Sequence, residues 1–169
     1  MITLKLLERP SKAFEVAIVP EDESAYTLNV AGFYQDTVTR DWAMQSTFKA
    51  TQLAGAERVR FNWYDLNSLS DTGVLREAVD ATLVADVIMV SVYAADELPP
   101  NLYAWVEAWL PRRSSRAGAL TALVGVVEPL DSQSLRTIKY LQAVARDAKL
   151  DFIPRQRKRT VTSPLRPVS

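Results

Sequence analysis

The segment Val87–Tyr93 constrains the fold of this chain most strongly, because it is apolar at every position except one serine. A strand of this kind is typical of the centre of a parallel sheet, where helices cover both faces. A second segment of similar character spans residues 119–127. The segments between and around them have apolar residues at helical spacing. The sequence therefore predicts alternating strands and helices, with parallel strands joined by right-handed crossovers.

Five strands and four helices follow from these patterns. The predicted strands are residues 26–34, 59–64, 87–93, 119–127 and 151–154, and the predicted helices are residues 39–53, 72–85, 101–110 and 132–148. Five strands in 169 residues favour the flavodoxin-like order 2-1-3-4-5 over a full dinucleotide-binding fold. We therefore predict a single three-layer α/β domain of flavodoxin-like fold with a five-stranded, mainly parallel sheet.

The domain is predicted to span residues 25–154, with an extension at each end. Residues 1–24 contain a strand candidate at 14–19, which suits either a hairpin into the first strand or an added edge strand. Residues 155–169 are polar, contain two prolines and are predicted to form a flexible basic tail. The first residues lack the pattern of a signal peptide, and residues 81–95 are too short to span a membrane. A cytoplasmic location is expected.

Several segments together resemble a family of small bacterial α/β proteins that has no assigned activity. The resemblance lies in the order and spacing of Tyr34-Gln35-Asp36, Thr39-Arg40-Asp41-Trp42-Ala43, Trp63-Tyr64-Asp65-Leu66, residues 85–91, Leu98-Pro99, Trp105, Trp109-Leu110, Arg113 and residues 118–123. It covers residues 26–154 and implies the same α/β fold and the same domain limits. It implies no activity.

Composition excludes several kinds of chemistry. The 169 residues include no histidine and no cysteine. The chain therefore has no imidazole base, no thiolate nucleophile, no disulfide and no zinc or haem site of the usual kind. Glycine-rich phosphate-binding motifs are also absent, and only five glycines occur in the chain. Carboxylates, hydroxyls, cations and backbone dipoles are what remain for a binding site.

The turn at residues 36–40 is the most suggestive of a site, since ligands of doubly wound sheets bind beyond the carboxyl ends of the strands. A carboxylate (Asp36), a hydroxyl (Thr39) and a guanidinium (Arg40) follow the first strand of the series. At a helix N-terminus this set is compatible with FMN or nucleotide phosphate. The alternative is purely structural, with Asp36 or Thr39 capping the helix and Arg40 pairing locally. The turn lacks the glycine that lets a backbone close around a phosphate.

Four further candidates are expected at the same edge of the sheet. Ser91 and Tyr93 end the third strand, Asp65 follows the second strand and Glu128 follows the fourth. Ser91 lacks a histidine partner, so a structural hydroxyl is favoured over a nucleophile. Tyr93 is suited to stack on a flat ligand or to cover the core. Asp36, Asp65 and Glu128 together would suit Mg²⁺, but aspartates at strand ends more often turn the chain.

Charge is distributed unevenly along the chain, although its 20 basic and 20 acidic residues balance. No acidic residue follows Asp151, whereas five basic residues do: Arg155, Arg157, Lys158, Arg159 and Arg166. This segment has no interleaved aromatic residues and no amphipathic pattern, so neither nucleic acid nor a membrane is expected as a partner. A protein partner or a homo-oligomer is compatible with the sequence.

The leading interpretation from the sequence is a non-catalytic, receiver-like binding or interaction module, because no strong nucleophile, base or phosphate loop is present. The alternative is an enzyme or carrier that binds flavin or nucleotide at the turn of residues 36–40. Carboxylate-based Mg²⁺ chemistry ranks third. No metal ligand set is predicted.

Overall fold

Five parallel strands form the centre of this protein in a computed structural model, which describes residues 27–54, 59–113, 116–128 and 131–159. The strands are β1 (Leu28–Tyr34), β2 (Val59–Asp65), β3 (Val87–Tyr93), β4 (Ala119–Val126) and β5 (Asp151–Lys158). The helices are α1 (Thr37–Ala54), α2 (Thr72–Val84), α3 (Pro100–Trp109) and α4 (Ser132–Asp147). Short 3₁₀ helices span Leu66–Ser70 and Leu110–Arg112.

The sheet has the order β2-β1-β3-β4-β5, and every neighbouring pair is parallel. The chain therefore reverses direction across the sheet after β2, and β1 and β3 lie side by side at the switch. Val30 of β1 is in register with Phe61 on one side and with Val87 on the other. The predicted order 2-1-3-4-5 is confirmed.

The two faces of the sheet are covered differently. Side chains alternate along each strand, so one set faces α2, α3 and α4 and the other set faces α1. The three-helix side holds the main core, in which Phe33, Trp105 and Trp109 are completely buried. The α1 side holds a smaller cluster around Trp42 and Ala43.

Local hydrogen bonds explain where α2 begins and ends. The Asp71 carboxylate accepts from the N–H groups of Gly73 and Val74, which is the usual N-cap arrangement. At the other end, the buried guanidinium of Arg113 donates to the carbonyls of Thr82 and Ala85. Burial lowers the pKa of Arg113. A cation at a helix C-terminus satisfies the last carbonyls and the helix dipole, so Arg113 stabilises α2 although it follows α3 in the chain.

Strand β5 is longer than predicted and ends at Lys158 instead of residue 154. Arg155, Arg157 and Lys158 therefore belong to the sheet, whereas the sequence placed them in a flexible tail. Pro154 suggested the end of the strand, but β5 lies at the edge of the sheet, where a missing N–H is tolerated.

Two other predictions fall outside the described residues. These are the strand candidate at 14–19 and the tail from residue 160 onward. The domain limits that depend on them stay predictions. In the part of the chain that the structure describes, no helix is long and apolar enough to cross a membrane.

Candidate functional site at the carboxyl edge of the sheet

The turn between β1 and α1 is closed by its own side chains. One oxygen of the Asp36 carboxylate accepts from the N–H of Thr39 at 2.9 Å. In return, the Thr39 hydroxyl accepts from the N–H groups of Gln35 and Asp36, both at 2.8 Å. This reciprocal arrangement uses the Thr39 N–H, one of the free N–H groups that a helix N-terminus otherwise offers to an anion. The structural alternative for Asp36 and Thr39, helix capping, is what the geometry shows.

The second oxygen of Asp36 accepts from the Tyr93 hydroxyl at 2.7 Å, which ties the end of β1 to the end of β3. The modest burial of Asp36 acts to raise its pKa, but hydrogen bonds from Thr39, Tyr93 and Val38 outweigh it and lower the pKa. Burial and the hydrogen bond to Asp36 raise the pKa of Tyr93 to about 12. Asp36 is therefore ionised and Tyr93 is neutral at physiological pH.

The Tyr93 ring is held from a second side by a cation. The guanidinium carbon of Arg159 lies 4.2 Å from the centroid of the ring, in cation–π contact. The backbone N–H of Arg159 donates to the carbonyl of Val126, so the end of β5 is anchored to β4. The backbone N–H of Tyr93 donates to the Gln35 side-chain carbonyl at 3.0 Å. Three strands thus bring a carboxylate, a phenol and a guanidinium together.

A second aromatic residue lies beside this group on the α1 face. Trp42 packs over Gly125, where an added Cβ would come within 2.7 Å of the indole ring. The Trp42 and Tyr93 rings meet edge to face, with centroids 5.8 Å apart. The guanidinium carbon of Arg157 lies 5.6 Å from the centroid of the Trp42 ring. The absence of a side chain at Gly125 is therefore what lets the Trp42 ring approach the sheet so closely.

The rim of this edge is apolar and exposed next to Tyr93. Val127 directly follows β4 and is 47% exposed. Ala94 directly follows β3, is half-buried and donates its N–H to the carbonyl of Gly125. Ala94 packs against the three-helix core and Tyr93 belongs to the α1-side cluster, so Val127 is the exposed apolar side chain that this edge offers.

The remaining predicted site residues do not converge on this surface. Ser91 is completely buried and donates to the carbonyl of Thr39, so it is a structural hydroxyl. Asp65 accepts from the N–H of Asn67 and caps a 3₁₀ helix. Arg40 is paired with Asp41 at 3.7 Å, which matches the local pairing weighed from the sequence. Glu128 is exposed at the end of β4. Within the described ranges no three acidic residues come together as a metal site, so the structure gives no support to Mg²⁺ chemistry.

The side chains at this edge determine which part of a flavin or nucleotide fits there. The apolar groups available to a planar ring are the half-buried Tyr93 ring and the exposed Val127 side chain. A phosphate at the α1 N-terminus does not fit, because the anionic Asp36 carboxylate already accepts from the N–H groups of Thr39 and Val38 and repels a second anion. Positive charge is available instead at Arg157 and Arg159.

The comparisons with solved structures agree with this sheet order. Azoreductase from Bacillus anthracis superposes with a TM-score of 0.55 at 9% identity, covering 78% of this chain and 87% of that chain. The flavodoxin of Streptococcus pneumoniae TIGR4 superposes with a TM-score of 0.52 at 13% identity, covering 78% of this chain and 84% of the flavodoxin. This chain has a flavodoxin-like fold. The flavodiiron core of Synechocystis Flv1 gives 0.55 at 17% identity, covering 82% of this chain and 32% of that longer chain. No protein-family model matches the chain, and no curated protein matches it in sequence.

These matches correct the leading functional interpretation. The prediction of a non-catalytic, receiver-like module is wrong, because the similar structures are a flavodoxin, a flavodiiron core and an azoreductase. The flavin- or nucleotide-binding alternative agrees better with them. At these identities the similarity establishes the fold, and the function has to be argued from this chain's own residues.

Sequence reasoning missed three residues of this site as site residues: Trp42, Arg157 and Arg159. Trp42 is identified from the sequence only as part of a family resemblance, and the two arginines lie in the predicted tail. A signal for the arginines is present, because basic residues at 155, 157 and 159 alternate as side chains on one face of a strand do. Because Pro154 indicated the end of the strand, this alternation did not contribute to the prediction.

Proposed function

We propose that this protein is a flavin-binding oxidoreductase or electron carrier whose ligand binds at the carboxyl edge of β1, β3 and β4. The observation that carries the proposal is the Tyr93 ring, held between the Asp36 carboxylate and the Arg159 guanidinium beside the switch in strand order. Such switch points are where doubly wound sheets bind ligands. The flavodoxin and flavodiiron names of two similar structures support a flavin over other planar ligands.

The residues at this edge bind and orient the ligand. A bound flavin supplies the electron transfer, which no side chain of this chain supplies on its own. Tyr93 and Val127 provide apolar contact. The Tyr93 hydroxyl donates its proton in the hydrogen bond to Asp36, and its pKa is raised. Tyr93 therefore orients the ligand and does not act as a proton donor to it. Arg159 places a positive charge at this edge, which favours an anionic ligand.

The resemblance to a family of small bacterial proteins, seen in the sequence, belongs to this proposal as well. The residues that carry it include Tyr34-Gln35-Asp36 and Trp63-Tyr64-Asp65, which end β1 and β2 at the same edge of the sheet. If the family shares this edge, its members share the ligand.

Flavin binding to the purified protein tests the proposal directly. The visible spectrum is recorded first, and the protein is then titrated with riboflavin, FMN and FAD while flavin fluorescence is followed. We expect quenching by the wild type and at least about tenfold weaker binding for Tyr93→Leu, since stacking on an aromatic ring is lost. Tyr140→Leu is the matched control, because Tyr140 lies on α4 against Tyr103 on the other side of the sheet.

Circular dichroism melts of both variants are recorded to test whether they fold. Failure of all three flavins to bind the folded wild type would overturn the proposal, and so would equal loss of binding in the two variants. Binding of adenine nucleotides in place of flavins would overturn it as well, because the ring surface would then serve a different ligand.

A further inference from the structure

Arg157 belongs to β5 and Arg159 directly follows its last residue, Lys158; both guanidiniums are directed to the α1 side of the sheet. Arg157 is in register with Gly125, and Gly125 lies under Trp42 of α1. Residues two apart in a strand share a face and are about 7 Å apart. Neither guanidinium forms an ion pair with a carboxylate of the described residues; their contacts are the Trp42 and Tyr93 rings and the Gln45 side chain.

These contacts fix the position of both cations before any ligand arrives. An Nη atom of Arg157 donates to the side-chain carbonyl of Gln45 at 2.9 Å while the guanidinium lies over Trp42. Arg159 lies over Tyr93. Arginine side chains lose conformational freedom on binding, so rings and an amide that already order them reduce that cost. A guanidinium whose planar face is on a ring keeps its edge N–H groups for an anion.

A cavity beside Arg157 provides room for such an anion. It has a volume of about 350 Å³, is open to solvent, and lies between α1 and β5 with Gln45, Ser46, Phe48, Lys49 and Arg157 as its lining. Lys49 is exposed and is the second cation of the cavity lining beside Arg157, while Arg159 lies over the Tyr93 ring two residues further along the chain. In the residues that the structure describes, α1 is the one helix on this side of the sheet, so no second helix covers β5.

The helix N-terminus that would otherwise attract a phosphate is closed. At the start of α1, the Asp36 carboxylate accepts from the N–H of Thr39 and repels a second anion. The pKa of Asp36 is lowered, so the carboxylate stays ionised at neutral pH. An anionic group of a ligand at this edge is therefore directed away from α1 and toward β5.

We propose that Arg157, Arg159 and Lys49 form an anion site that binds the phosphate of a small phosphorylated ligand. With the proposed function, on which the identity of the ligand rests, that phosphate is the one of flavin mononucleotide. The site lies on the edge strand and the exposed side of α1, not at the turn between β1 and α1. It makes the two arginines specificity determinants that distinguish FMN from riboflavin.

Paired titrations test this proposal. Wild type, the double variant Arg157→Gln/Arg159→Gln and a charge-matched control, Arg136→Gln/Arg146→Gln, are titrated with riboflavin and FMN at one fixed salt concentration. The control removes two exposed arginines of α4 that pair with Asp96 and Asp147. We expect the wild type and the control to bind FMN about tenfold tighter than riboflavin, and the double variant to lose this preference while keeping its affinity for riboflavin.

A second measurement does not need a flavin. Inorganic phosphate and pyrophosphate are titrated while arginine side-chain Nε–H resonances are followed by NMR, and a short single-stranded oligonucleotide is titrated in parallel. We expect pyrophosphate to shift the resonances of Arg157 and Arg159 in the wild type, with no matching response from Arg136.

The outcomes separate the two proposals. If pyrophosphate shifts these arginines but no flavin binds, the anion site stands and the flavin function fails. If flavins bind with equal affinity for riboflavin and FMN, the function stands and the anion site is overturned. Equal weakening in the double variant and the charge-matched control would also overturn the site, because the effect would be net charge alone. Much tighter binding of the oligonucleotide than of pyrophosphate through the same arginines would overturn the assignment to a small ligand.

Discussion

The two faces of the sheet differ in the size and the burial of their side chains. On the three-helix side, the strand residues are large and completely buried, as Ile88, Val90 and Val92 of β3 are. On the α1 side, β3 presents Met89, Ser91 and Tyr93, and the neighbouring strands present glycines. An apolar face that is fully covered stabilises the fold. A face of glycines, rings and guanidiniums buries less and leaves functional groups accessible.

Glycines make the second face possible. An added Cβ at Gly32 would overlap the Trp63 ring, and one at Gly125 would reach the Trp42 ring. Each tryptophan therefore lies over a neighbouring strand at a position where that strand has no side chain. On the α1 side, aromatic rings packed over glycines thus replace part of the aliphatic packing seen on the three-helix side.

The largest expected effect concerns the covered face. Trp105→Ala removes a completely buried indole that packs on Phe33 and donates to the Thr82 hydroxyl at 3.0 Å. We expect a loss of about 4 kcal/mol in the free energy of unfolding, measured by urea denaturation, because a large cavity remains. Trp42→Ala on the other face should cost about 2 kcal/mol, since its buried cluster is small. Equal losses for the two tryptophans would contradict this difference between the two faces of the sheet.

A smaller effect is expected when the close approach of Trp42 to the sheet is blocked. Gly125→Ala places a methyl group within 2.7 Å of the indole, so the ring has to move. We expect a loss of about 2 kcal/mol in stability by urea denaturation, together with a changed near-ultraviolet circular dichroism signal, because Tyr93 moves with Trp42. Gly73→Ala is the control, since the nearest atom to an added methyl group there is an Asp71 side-chain oxygen at 3.2 Å and no aromatic ring is within contact. An unchanged near-ultraviolet signal in Gly125→Ala would contradict the packing described for Trp42.

The smallest effect concerns the turn that closes the site. Asp36→Ala should lower stability by about 1 kcal/mol at neutral pH, because an N-cap is lost, and Asp36→Asn should lower it less, because the amide still accepts a hydrogen bond. The pKa of Asp36 is lowered in the folded protein, so its contribution is complete above the unfolded pKa of about 3.9 and is lost as the pH falls through the lower folded value. Melting curves from neutral to acidic pH should show the wild type and Asp36→Ala converging. A constant difference across that range would contradict the role of the charge.

Much of the fold could be predicted from the sequence, because local periodicity determines it. The predicted strand at 87–93 matches β3 residue for residue, and the predicted helix at 72–85 differs from α2 by one residue. These segments lie in the core, where apolar spacing and burial agree. The predicted β5 was too short. A strand at a sheet edge tolerates a proline and four charged residues, and local sequence patterns do not show that such a segment pairs with its neighbour.

The site was less predictable, because its contacts join residues far apart in the chain. Asp36 and Tyr93 were both candidates, yet only the parallel register of β1 and β3 brings them within hydrogen-bond distance. The position of Arg159 over Tyr93 depends on how far β5 runs beside β4. Ser91 was a candidate from its place in the strand, and only the packing of α1 shows that its hydroxyl is used inside the core.

The charged end of β5 also bears on how copies of this protein behave toward one another. An edge strand leaves a row of backbone groups that a strand of another molecule can extend into a continuous sheet. Pro154, Arg155, Arg157 and Lys158 all lie on this edge, and a proline and like charges are features that oppose such growth. The positive charge of the arginines proposed to hold a phosphate thus also opposes aggregation through this edge of the sheet. Replacing them with glutamine should therefore lower the concentration at which the protein stays monodisperse, an effect that light scattering measures apart from any ligand.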